Sequence, residues 1–207
     1  MFDLHVAGDS GAIFSTVVKP EAPPPEGPTV HGIDNAELAE GPSFPEAFAR
    51  MVAFLDYLAQ SALVSDSESS DGERAQPRIK DEAPRIILVG HNSFRFDFPM
   101  LLSQCKRLNV SPEAFTKWCY ADTLGMCRCT DACLHVGCLK LQCWLRAVGD
   151  EHPLRAHRAL DDAIALRSVL SYAAARLGVG PLSLLRPLVV ELDPAATDAQ
   201  LSVVLGL

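Results

Sequence analysis

The run Arg85-Ile-Ile-Leu-Val-Gly90 constrains the fold of this chain more than any other stretch. Four consecutive apolar residues closed by glycine fit a strand buried on both faces of a sheet, which requires helices on both sides. Helical spacing is present on either side of it. Phe44, Phe48, Val52, Leu55 and Leu58 form one stripe, with Pro45 tolerated in the first turn. Further helices are expected over Asp97 to Leu108, Leu139 to Val148 and His157 to Leu177, the last two stopped by Gly149 and Gly178. Lys117 to Asp122 reads as a short strand between them. Near the N-terminus, Phe2 to Val6 alternates apolar and polar residues. Ala7-Gly-Asp-Ser-Gly11 has turn chemistry, and Ile13 to Val18 is the next strand, so the two form a hairpin. A hairpin followed by alternating strands and helices predicts a layered α/β domain.

The chain has 207 residues, 48% of them hydrophobic, enough for one domain with a real core. Its net charge of -8 argues against a scaffold that binds polyanions over its whole surface. A metal-dependent nuclease stays open, because such a site is built from carboxylates and its ions bring the positive charge. No apolar run reaches the roughly 18 residues that span a bilayer. Met1 to Val6 lacks the basic start and long apolar stretch of a signal peptide. The expected location is the cytosol or nucleus, with no membrane partner and with the seven cysteines mostly reduced. Lys19 to Pro28 carries five prolines and is expected to be irregular or extended. Ser65 to Glu73 has no apolar residue and reads as an acidic, disordered insertion, spanning about 62–84. The domain organisation expected is one unit over 1–178, with that insertion, and a C-terminal extension over 179–207.

Two segments carry chemistry. His157-Arg-Ala-Leu-Asp-Asp162 opens the long helix, and Asp97 stands just past the end of the Ile86 to Val89 strand. Open α/β sheets place ligand sites beyond the carboxyl ends of their strands. Pro99 falls within the first turn after Asp97, so its carboxylate is held at a rigid helix start. An N-cap would explain Asp97 alone. It does not explain why His91 and Asn92 crowd the same strand end.

At this point a resemblance becomes specific. Leu88-Val-Gly-His-Asn-Ser-Phe-Arg-Phe-Asp-Phe-Pro-Met-Leu-Leu102 resembles the second motif of the DnaQ-like (DEDDh) 3′–5′ exonucleases. Ala156-His-Arg-Ala-Leu-Asp-Asp-Ala163 resembles their third, His-x-Ala-x-x-Asp. Phe14 to Pro20 followed by Val30 to Ile33, and Tyr120-Ala-Asp-Thr-Leu124, are similar to further segments in the family's order. The Phe-Asp-Phe-Pro form leans towards the three-prime repair exonuclease branch. The resemblance implies a ribonuclease-H-like fold, with a mixed sheet of about five strands flanked by helices. It implies a two-ion site for Mg²⁺ or Mn²⁺, with Asp97 and Asp162 as ligands and His157 as the general base. It implies a single-stranded or frayed DNA or RNA 3′ end as substrate and nucleoside 5′-monophosphates as products. His91, Asn92 and Phe94 fall where the terminal nucleotide would stack or hydrogen-bond.

One motif departs from the family. Its first motif is Asp-x-Glu on the central strand, and this chain has only Asp3-Leu-His5. Either Phe2 to Val6 is that strand in degenerate form, or the strand lies upstream of Met1. The short Gly-Asp-Ser-Gly turn favours the second reading, in which the chain is an N-terminal truncation with an incomplete site. Two rivals follow: a catalytically inactive binding module on the same fold, and a cysteine-rich interaction protein that merely echoes the motifs. Cys127, Cys129, Cys133, His135 and Cys138 pack five potential ligands into a short stretch. The spacing is not the paired Cys-x₂-Cys form of zinc sites, so reduced thiols are expected there.

Overall fold

The computed structural model describes residues 3–7, 12–22, 33–68, 86–149 and 159–191. Five strands and seven α-helices run through them. Strand β1 (Asp3–Ala7) and β2 (Ile13–Val17) form the expected antiparallel hairpin, with His5 opposite Ser15. Helices α1 (Asn35–Glu40) and α2 (Phe44–Glu68) follow. Strand β3 (Ile87–Gly90), helix α3 (Asp97–Arg107) and strand β4 (Cys119–Asp122) then make a parallel crossover. Helices α4 (Thr123–Leu134), α5 (Leu141–Val148), α6 (Ala159–Leu177) and α7 (Pro181–Leu185) lead to a short β5 (Val190–Glu191), antiparallel to β4. The architecture is mixed α/β.

Of the mixed sheet of about five strands expected from the sequence, the described residues form two pieces. The order is β1-β2 in one sheet and β3-β4-β5 in a second, with no ladder joining them among the described residues. The hairpin packs instead along α6 and against α2.

Burial also corrects the reading of β3. Its apolar residues are only half-buried, whereas every residue of β4 is buried. Sheet order matches this: among the described residues β4 is flanked by strands on both edges, and β3 pairs on one edge only. Two apolar clusters cover the β4 layer. In the first, Phe44, Phe48, Met51 and Leu55 of α2 meet Phe98, Leu102 and Cys105 of α3, with Phe115, Trp118 and Tyr120. Tyr120 is fully buried, stands edge-on to Phe98 with ring centres 4.9 Å apart, and donates its hydroxyl to the Phe115 carbonyl at 2.7 Å. In the second, Met126 and Cys127 of α4 meet Trp144 and Leu145 of α5 and Ala165, Val169 and Ala173 of α6.

Helix α2 continues through Ser65, Asp66 and Ser67 to Glu68, into the stretch from about residue 62 that the sequence reads as an irregular insertion. Serine and acidic residues lower helix propensity only by tenths of a kcal/mol, and no glycine or proline interrupts before Gly72. Residues 69–85 lie outside the described residues, as do the proline-rich 23–32 and the tail from 192. Among the described residues no single helix is long and apolar enough to cross a membrane.

Candidate functional site

Four of the site candidates, His91, Asn92, Phe94 and Asp97, follow the carboxyl end of β3. Beyond Gly90 the chain turns sharply. A Cβ on Gly90 would lie 2.4 Å from the Cβ of Ser93, so only glycine fits there. Asn92 is left-handed, with φ 59°, a conformation asparagine tolerates better than most residues. The turn is held by Asp122, the last residue of β4. Its Oδ1 accepts from the Asn92 N–H at 2.7 Å and its Oδ2 from the Phe94 N–H at 3.2 Å. Oδ1 also accepts from Leu124 N–H at 2.8 Å, capping α4. One buried carboxylate thus clips the β3–α3 turn to the start of α4. Sequence reasoning assigned Asp122 no role. The available signal was an Asp-Thr pair directly before a helix, the ordinary mark of an N-cap.

His91 is bound on both ring nitrogens. Nε2 lies 2.8 Å from the Leu139 carbonyl, and Nδ1 lies 3.0 Å from the Thr123 hydroxyl. A carbonyl only accepts, so Nε2 carries a proton. Thr123, itself fully buried, places its hydroxyl 3.1 Å from the Gly90 carbonyl, to which it donates. His91 therefore ties the end of β3 to α4 and to the segment before α5.

Asp97 opens α3 with no side-chain cap upstream of it. As a residue it is exposed, yet protein atoms crowd its carboxyl. That crowding raises its affinity for a proton above the ordinary aspartate value, and the negative charges of Asp122 and Asp162 raise it further. Its own backbone N–H and the nearby His91 pull the other way. The fold thus brings Asp97 and Asp162 into one electrostatic neighbourhood, although 65 positions separate them in the sequence. Asp162 stands in the first turn of α6 and is half-buried. His157 lies outside the described residues, and of the Asp3 and His5 side chains nothing is described.

Gathered negative charge of this kind is what a divalent cation relieves. Among the described residues no three His, Cys, Asp or Glu side chains are grouped to hold an ion, and His157 lies outside those residues. The cysteine-rich stretch does not form a zinc centre among them either. The expectation of reduced thiols there is corrected at one pair: Cys138 and Cys143 form a disulfide. They stand either side of the start of α5, which brings their Cα atoms to 5.9 Å, within bonding range.

Beside the Asp122 clip is an open groove of about 350 Å³, lined by Asn92, Phe94, Arg95, Leu124, Arg128 and Leu188 among others. Arg95 and Arg128 are exposed and form no ion pair among the described residues. Phe94 packs on Phe98 with ring centres 5.6 Å apart, while Phe96, next to Asp97, is 60% exposed.

The chain is similar to "Exonuclease DPD1, chloroplastic/mitochondrial" of Arabidopsis thaliana, with 28% identity over 168 residues. That stretch is 79% of this chain and 46% of the plant protein, so the chain spans about half the length of the relative it matches. No family model matches the chain. No solved structure matches it.

Proposed function

We propose that the chain is a 3′–5′ exonuclease domain of the DnaQ-like type, on a ribonuclease-H-like fold, acting on DNA or RNA 3′ ends. The observation that supports this reading is that the negative charge of Asp162, on α6, is felt at Asp97, just past the end of β3. The likeness to a plant exonuclease supports it. Water would attack the terminal phosphodiester, with His157 taking its proton, and a nucleoside 5′-monophosphate would leave. Asp97 and Asp162 would serve Mg²⁺ or Mn²⁺, whose chemistry is to activate water and stabilise the leaving 3′ oxygen. Asn92 and Phe94 face the groove where a nucleotide would lie, and His91 holds that strand end in place. Arg95 and Arg128 would steer the phosphate backbone to an otherwise acidic protein.

The test is digestion of 5′-labelled single-stranded DNA and RNA with added Mg²⁺ or Mn²⁺. Stepwise shortening from the 3′ end, lost in Asp97→Ala and in Asp162→Ala, is expected. Cleavage that survives both substitutions sinks the assignment. A second reading is favoured by the absence of a third ion donor among the described residues: a module that binds nucleic acid without cutting it. Oligonucleotide binding that persists in chelator, with no shortening at any ion concentration, would select that reading.

A further inference from the structure

We propose that Cys138 and Cys143 are a reversible thiol–disulfide pair whose state sets the Leu139 carbonyl, and through it the seat of His91. The proposal does not depend on the nuclease reading. Residues 135–140 join α4 to α5 without helix or strand. Helix α5 starts after Lys140, and no side chain caps it. The bond between Cys138 and Cys143 ties the joint to the first turn of α5 instead. Leu139 lies inside that small ring, and its carbonyl is the acceptor 2.8 Å from His91 Nε2. On the near side, Gly137 is left-handed at φ 68° and donates its N–H to Asp131 Oδ1 at 2.7 Å. With one side anchored on α4 and the other bonded covalently, the carbonyl has little room to move. Opening the disulfide frees one of the two anchors.

Of the free cysteines among the described residues, Cys129 is exposed and reacts as a single thiol, while the remaining three do not compete with the pair. Cys105, Cys119 and Cys127 are buried, and burial pushes the thiols of Cys105 and Cys127 up to about 12. Such thiols form little thiolate and react poorly. Cys138 and Cys143 are half-buried, so a small reagent can reach them. The co-reactant is a low-molecular-weight disulfide of the glutathione class. One protein thiolate attacks it, forms a mixed disulfide and expels one thiol; the second thiolate displaces the other. Two electrons pass to the reagent, and the two cysteine protons end on the released thiols.

The experiment equilibrates the full chain across ratios of reduced to oxidised glutathione. Alkylation with peptide mass spectrometry reads the cysteines. Nitrogen NMR, assigned with a His91→Gln variant, reads the His91 ring. Cys138 and Cys143 should lose alkylation together in one two-electron transition, and the His91 Nε2 resonance should shift at the same midpoint. Cys143→Ser should hold the resonance at its reduced position throughout. Should that variant fail to fold, the wild type reduced by dithiothreitol gives the same comparison. Cysteines that stay reduced in excess oxidised glutathione overturn the proposal. So does a complete thiol transition that leaves the His91 resonance where it was.

Discussion

Replacing Asp122 with alanine tests the clip directly. The side chain is 9% exposed and accepts three backbone N–H groups, from Asn92, Phe94 and Leu124. Loss of the α4 cap alone costs about 1 kcal/mol. Hydrogen bonds to a charged acceptor contribute about 1.5–3 kcal/mol each, and the 3.2 Å bond from Phe94 belongs at the low end. The three share one acceptor and do not add fully, so the expected loss is roughly 3–5 kcal/mol. Against a total of about 5–15 kcal/mol that is a large fraction. Asp122→Asn should lose less, roughly 1–2 kcal/mol, because its single oxygen can still accept from Asn92 and Leu124 while its amide meets the Phe94 donor. Urea denaturation with an unchanged m-value gives the difference, and amide exchange at Asn92, Phe94 and Leu124 locates it. An alanine variant within about 1 kcal/mol of wild type, or equal losses in the two variants, would refute the reasoning.

Four further outcomes are expected. Asp97→Asn should be at least as stable as wild type near neutral pH. The wild-type carboxyl binds its proton more tightly folded than unfolded, so its contribution is favourable at low pH and is lost as pH rises through the raised folded value. The advantage of the variant should therefore vanish below the aspartate range, and a pH series of denaturation curves checks the sign. Gly90→Ala should cost about 1–3 kcal/mol through overpacking against Ser93, read as a lowered midpoint of unfolding. Asn92→Ala should cost about 1 kcal/mol for a left-handed residue, and Asn92→Gly clearly less, in the same assay. His157→Ala should slow any exonuclease turnover by about 10²–10⁴, with oligonucleotide binding kept, as single-turnover kinetics would show.

Local periodicity was enough to place the hairpin, α3, α5, α6 and the start of α2 within a few residues, because each carries its own apolar stripe or turn signal; the end of α2 lies ten residues beyond the last residue of its stripe, Leu58. What required the third dimension was burial order. Ile87, Leu88 and Val89 look like the sheet's centre, yet the buried middle strand is Cys-Tyr-Ala-Asp, whose polar side chains Tyr120 and Asp122 find their partners on the 3₁₀ turn at Pro112–Lys117, the β3–α3 turn and α4. Asp97 was legible from its place after an apolar strand. Asp122 was not, because its task is to bind backbone groups about thirty positions upstream. The same holds for His91, whose acceptor lies 48 positions away. The disulfide escaped for a simpler reason: composition says how many thiols there are, while the helix start decides which two can meet.

The Asp122 clip also bears on how the chain reaches its fold. Its acceptor oxygens and the Asn92 and Phe94 donors are 30 and 28 positions apart, so neither bond can form until the crossover has closed. Closure entropy comes first and the bonds repay it afterwards. Kinetics of Asp122 variants therefore time the event: slowed refolding would put β3, α3 and β4 together in the transition state, and faster unfolding alone would put their union after it.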